Sequence, residues 1–189
     1  MHGVIFTELR KFIAATVGKQ AWEQAHDKAG LPQVPYLPIA TYDNETLLAL
    51  MRALSDITGA TVTALLDEFG SAIAPDLLTY PGIHLQPHWR TIAVLEHVES
   101  IIHKTVRRAD PNANPPHLRV KRGSFDRIDV HYDSPLKLCA LGKGIIRGIA
   151  RHFEEEIVII EETCMILGDL ECKINVRLRP SALRPAVKP

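Results

Sequence analysis

The sequence has no surplus of charge of either sign, with 22 Lys and Arg against 22 Asp and Glu. It has no basic block and no interleaving of aromatic with basic residues. Both are footprints of a protein that binds nucleic acid or a membrane surface, and neither partner is expected. No apolar run approaches the length that spans a bilayer. The first apolar stretch, MHGVIFTELRKF, is broken by Glu8, Arg10 and Lys11, so it does not read as a signal peptide. Cysteine is scarce: three residues, an odd number without a secretory signal. That count disfavours a disulfide framework and suits a reducing compartment, so a cytoplasmic location is expected. There is no Ser-His-acid set and no glycine-rich phosphate loop, and the reading is of a protein that is not an enzyme.

What the chain does have is an ordinary globular composition, 46% hydrophobic and 23% charged over 189 residues. That suits one domain with room for an internal ligand cavity. Residues 4–17 carry Ile5, Leu9, Phe12, Ile13 and Val17 at helical spacing, with Gly18 as a stop. A short helix follows with Ala21, Trp22, Ala25 and Ala29, ended by Gly30. The segment LPQVPYLPIATYD reads as a rigid extended connector. Asp43 or Asn44 caps the next helix, closed before Gly59, and Thr61 or Thr63 opens another. Pro75, Pro81, Gly82 and Pro87 mark irregular backbone. Trp89 to Pro116 reads as one long helix, with Ile92, Leu95, Val98, Ile102 and Val106 on a stripe, a polar exit loop and a Pro115-Pro116 stop.

After Pro116 the period changes to two. Leu118, Val120, Ile128, Val130 and Tyr132 alternate about a Gly123-Ser124 turn. Residues 136–153 return to helix, and two further strands follow, Ile157 to Ile160 and Cys172 to Leu178, either side of a turn at Leu167-Gly168-Asp169. The fold class is α+β: an amino-terminal helical part, a long helix, and an antiparallel sheet packed with a further helix. We expect a single domain over residues 1–179, helical over about 1–60 and ligand-cradling over about 61–179. Residues 180–189 form a flexible proline-rich tail. Glu154-Glu155-Glu156 and Arg107-Arg108 read as solvated helix ends without chemistry.

IHKTVRRADPNANPPHL, followed by VHYDSPLKLCALGKGIIRG, resembles the haem nitric oxide/oxygen-binding (H-NOX, or HNOB) family. In that family a helix histidine is followed thirteen residues later by a proline, then by Tyr-x-Ser-x-Arg. Here His103 leads to Pro116, and the later motif begins at Tyr132. The resemblance implies haem b with His103 on its iron and Pro116 pressing on the porphyrin from the same side. The other histidines fit that assignment. His97 and His103 are six apart, about 120° around a 3.6-residue helix. His84 and His88 flank Pro87 and read as loop residues.

Tyr132 and Ser134 match the motif positions that hold the haem propionates by hydroxyl donors. On an extended strand residues 132, 134 and 136 face one way. Leu136 stands where the family has arginine and cannot supply a charge-assisted bond, worth about 1.5–3 kcal/mol net. That corresponds to roughly ten- to a hundredfold in haem affinity. Lys137 on such a strand points to the opposite face. On the open side of the haem the resemblance places Ile5, Leu9, Ile73 and Leu141. Members that hold oxygen carry a tyrosine nine residues past the motif tyrosine, which is Leu141 here. Bound O₂ carries partial negative charge and needs a donor to stay, whereas NO does not, so an all-apolar pocket favours NO.

CMILGDLEC places Cys164 and Cys172 across a turn, with Cys139 elsewhere. Some bacterial relatives bind zinc with three such cysteines and a histidine, and the histidine's position is Glu161 here. Zinc on Cys139, Cys164, Cys172 and Glu161, a thiol/disulfide pair, and buried inert thiols all remain open. The resemblance as a whole implies a stand-alone nitric oxide sensor. NO weakens the iron–His103 bond, the two halves rotate, and a partner in trans receives the change: a signalling histidine kinase or a cyclic-dinucleotide enzyme. GIIRGIARHF with CMILGDLEC also looks like the V4R small-molecule-binding domains. That alternative makes the chain a small-ligand or zinc/thiol redox module without haem.

Overall fold

The computed structural model describes residues 1–109 and 115–179; the polar exit loop at 110–114 and the 180–189 tail lie outside them. Helix α1 (Gly3–Thr16) is followed by α2 (Ala21–Ala29), α3 (Asn44–Thr58) and α4 (Val62–Leu78). Their ends are set by local chemistry. Asp43 and Thr61 accept backbone N–H groups at the starts of α3 and α4, and Gly30 and Gly59 adopt the left-handed conformation that closes α2 and α3. The connector between α2 and α3 has no regular structure apart from an isolated bridge between Thr41 and His2. Its Tyr36 stacks on Phe6, and its Tyr42 meets the same ring edge-on. Fully buried His26 takes part in the same cluster, donating from Nδ1 to the Trp22 carbonyl and accepting from the Tyr36 hydroxyl.

Pro75 does not break the chain as the sequence suggests: it lies inside α4. A proline leaves the carbonyl four residues before it without its helical donor. That carbonyl belongs to Ser71. Helix α7 (Cys139–His152) backs onto it so closely that a Cβ on Gly148 would lie 2.4 Å from the oxygen. Gly70 and Gly144 meet the facing backbone in the same way, so α4 and α7 cross with their main chains almost touching. Arg147 and Asp67 pair across this crossing.

The long helix is also interrupted, though not by a break. It runs as α5 (Thr91–His97), a π-helical turn (Val98–His103) and α6 (Lys104–Ala109). Glu155 supplies the charge at the start of α5, its carboxylate accepting the Thr91 N–H at 3.0 Å. It is therefore a cap delivered from another element rather than a solvated end.

Strands β1 (His117–Ser124), β2 (Arg127–Asp133), β3 (Ile157–Thr163) and β4 (Cys172–Leu178) form one antiparallel sheet in the order β1-β2-β4-β3. Gly123 sits at a register shift between Arg122 and Ser124, and the hairpin turn is Phe125-Asp126 rather than Gly123-Ser124. The sheet buries Ile128, Val130, Tyr132, Ile174 and Val176 with Ile146 and Ile149 of α7 and the start of α5. This is the second of two cores in chain order; the first joins α1–α4 with Leu138, Ala140 and Leu141. Among the described residues no single helix is long and apolar enough to cross a membrane.

Candidate functional site

His103 ends the π-helical turn with its side chain only 14% exposed. Its Nδ1 lies 2.8 Å from Glu99 Oε2. A carboxylate can only accept, so Nδ1 carries the proton and the Nε2 lone pair is left for a ligand. Nε2 makes no hydrogen bond among the described residues. Burial lowers the His103 pKa, against the opposing pull of Glu99. The ring is thus held neutral, the state in which imidazole binds metal. Burial works against the charge on Glu99 too, but hydrogen bonds from His103 and Arg107 outweigh it and hold its carboxyl below the ordinary value.

Glu99 is the functional residue that the sequence reading missed. It is four residues before His103, the spacing at which helical side chains meet, and that signal was present. Arg107 donates to its Oε1, and the Leu118 N–H donates to Oε2 at 3.3 Å. Arg107 is therefore engaged, and only Arg108 of the pair is exposed. Leu118 lies two residues past half-buried Pro116, so Glu99 ties the histidine to the start of β1 just beyond that proline.

The 132–136 motif is not one strand. Strand β2 ends at Asp133, and Ser134-Pro135-Leu136-Lys137 forms a turn closed by Lys137 N–H to Ser134 carbonyl at 3.0 Å. Lys137 has φ +51° and is exposed, while Leu136 is half-buried against the first core. Tyr132 and Ser134 are both buried. Burial pushes the Tyr132 hydroxyl up to about 12, opposed by its hydrogen bonding to Ser134. Its ring also stands against α7, 3.8 Å from where a Cβ on Gly142 would be.

Leu9, Ile73 and Leu141 are brought together in the first core, with Ile5 and Leu136 packed against it. Tyr132 belongs to the second core, against which Ile101 and Ile102, the residues just before His103, also pack. These residues fit a haem by the chemistry of their donors. They offer one neutral imidazole with a free Nε2, two buried hydroxyls, and an apolar set without a hydrogen-bond donor.

The three cysteines form a second centre. The ligand atoms of Cys139, Glu161, Cys164 and Cys172 all lie within 4.8 Å of one another. Cys139 and Cys164 Sγ are 3.9 Å apart, close to the edge of about 3.8 Å for a tetrahedron with 2.3 Å zinc–sulfur bonds. Burial and the neighbouring Cys172 and Cys164 push the Cys139 thiol up to about 12, and burial raises Cys172 as well. Glu161 Oε1 is buried without a partner, while Oε2 takes the Lys143 ammonium at 2.6 Å. The loop is built around Cys164, whose N–H donates to Asp169 and whose carbonyl accepts from Leu167 and Asp169.

A family described as haem-NO-binding matches residues 2–161 of the chain. No curated protein matches it. Among solved structures, an H-NOX protein from S. oneidensis in the Fe(II)NO state superposes with a TM-score of 0.88 at 22% identity, over 95% of this chain and 100% of that one. The unliganded Fe(II) H-NOX protein from K. algicida gives 0.83 at 24% identity, over 97% and 99%. A mutant H-NOX from T. tengcongensis gives 0.82 at 20%, over 97% and 100%.

Proposed function

Because the chain belongs to the haem-NO-binding family, we propose that it is a sensor carrying haem b on His103 and reporting nitric oxide. The observation that carries this reading is the His103 ring, neutral and mostly buried, with Nδ1–H committed to Glu99 and Nε2 free. Ferrous haem supplies the iron to which the gas ligand attaches. Tyr132 and Ser134 would hold its propionates with their hydroxyls, and Pro116 would pack beside it. Ile5, Leu9, Ile73 and Leu141 line the ligand's side and offer no donor. Such a pocket gives bound O₂, which draws negative charge, nothing to lean on, and leaves NO unaffected.

Any change in what His103 Nε2 holds would pass to the helix that carries it, and the helical part (about 1–60) would turn against the rest (about 61–179). A partner in trans, a signalling histidine kinase or a cyclic-dinucleotide enzyme by family resemblance, receives that change. The cytoplasm is the compartment in which such a partner and three reduced cysteines coexist.

The sulfur cluster supports a second cofactor on the same chain: structural zinc held by Cys139, Cys164, Cys172 and Glu161. Its donors and their spacing favour zinc over a lone thiol/disulfide pair, because a fourth, unpartnered oxygen is buried beside the sulfurs. The family match favours the haem resemblance over the V4R one. Protein reconstituted with haem, reduced and scanned first in air and then with NO, tests the main reading. A Soret band that shifts with NO and not with air is expected; a colourless protein, or a stable oxy complex, would overturn it.

A further inference from the structure

We infer that Glu99 is the positioning residue that sets how tightly His103 grips iron, by fixing the ring's tautomer and polarising it from behind. The inference rests on the haem reading above. Its starting point is that the Glu99 carboxylate is held from three directions. The His103 Nδ1–H and the Leu118 backbone N–H share Oε2, at 2.8 and 3.3 Å, and the Arg107 guanidinium occupies Oε1. Two of these three anchors do not depend on the imidazole. The carboxylate therefore stays in place when His103 moves, and acts as a fixed pivot rather than a passenger.

A hydrogen bond from Nδ1–H to an anion pushes electron density through the ring to Nε2 and makes it a stronger donor to a metal. Carboxylates behind ligating histidines generally orient the ring and raise its basicity in this way. The hydrogen bond is charge-assisted, and its geometry at 2.8 Å is that of the stronger class. A neutral acceptor in the same place would orient the ring equally well and polarise it less. Glu99 thereby biases the choice between a histidine that stays on the iron when NO arrives and one that lets go. The Leu118 arm ties the same carboxylate to β1, so the pivot is anchored in the first residues of the sheet.

The test has two arms. In haem-free protein, nitrogen-15 NMR of the His103 ring reads the tautomer directly: the Nδ1–H form is expected in wild type, and a mixture in Glu99→Ala. In haem-loaded ferrous protein, resonance Raman reads the iron–histidine stretch. Glu99→Gln, which keeps the shape and removes the charge, is expected to lower that frequency and to raise the fraction of NO complex lacking the histidine. Arg107→Met should shift it the opposite way and by less, since it removes the cation that draws charge from the carboxylate while leaving Oε2 on the imidazole. An unchanged tautomer in Glu99→Ala, or an unchanged stretch and NO complex in a haem-loaded Glu99→Gln, overturns the role of Glu99. Failure of the wild type to take up haem overturns the haem reading and with it the iron half of this inference, whatever the tautomer shows.

Discussion

Substituting Gly144 by alanine should destabilise the protein, and by an amount that the α4–α7 crossing sets. An alanine Cβ there would stand 2.0 Å from the Asp67 carbonyl oxygen, 2.8 Å from its carbon and 3.0 Å from its Cα, where ordinary contact begins at 3.4 Å. The obstacle is backbone, so no side chain can swing aside; the helices themselves must part by about 1 Å or more. Overpacking of this kind costs about 1–3 kcal/mol, and a gap of that size forfeits roughly a quarter to a half of each dispersion contact along the crossing. Against it stands the gain of roughly 1 kcal/mol from replacing glycine in a helix.

A net loss of about 1–2 kcal/mol corresponds to a fall in Tm of roughly 2–8 °C for a domain of this size. Gly142, two residues earlier on the same helix, is the control. Its added Cβ would meet only the Tyr132 ring, at 3.8 Å, an ordinary contact. Gly142→Ala should therefore melt at or a few degrees above wild type, keeping most of the helix gain. The pair is read by circular-dichroism melting of haem-free protein, so that haem occupancy does not enter. A Gly144→Ala variant as stable as wild type would mean that α4 and α7 do not touch along their main chains.

Three further outcomes follow from the two centres. Leu136→Arg should restore a charged partner for the propionates and slow haem transfer to apo-myoglobin by roughly ten- to a hundredfold; an unchanged rate would show that residue 136, in its turn, does not face the haem. Leu141→Tyr should place a donor among Leu9 and Ile73 and permit an oxy complex in air, and absorption spectra without one would refute that placement. Zinc bound at the cysteine cluster should displace protons, because Cys139 is pushed up to about 12 and Cys172 is raised. Zinc affinity should then fall on acidification by roughly tenfold per pH unit for each thiol proton released. A pH-independent affinity, or full zinc content in Cys139→Ser, would remove the cluster from consideration.

Much of the fold is legible in the sequence because it is written in local chemistry. Asp43, Thr61, Gly30 and Gly59 mark helix ends by the bonds they make or the φ they permit, and the structure finds them there. Where the sequence misleads, a tertiary contact overrides a local rule. Pro75 breaks an isolated helix, but in α4 the carbonyl it leaves unserved faces the bare backbone of Gly148, more than seventy residues away. The π-helical turn before His103 has no local signature in the apolar stripe around it. Glu155 looks like one of three solvated acids until α5 arrives to use it.

The candidate site divides in the same way. His103, Tyr132, Ser134 and the three cysteines can be named from spacing and resemblance, and the structure brings Cys139, Cys164, Cys172 and Glu161 into one cluster. Reading 132–136 as a continuous strand ignored Ser134-Pro135, a pair that starts turns. Glu99 was within reach, one helical turn from the histidine, but its links to Arg107 and to the Leu118 N–H needed the fold.

The most direct measurement is the ferrous absorption spectrum of His103→Ala beside that of wild type, both reconstituted with haem under identical conditions. Wild type should show a haem band that responds to NO, and the variant should lose or alter it, with added imidazole restoring the wild-type form. A variant whose spectrum and NO response match wild type would contradict the assignment of His103 as the residue that holds the iron.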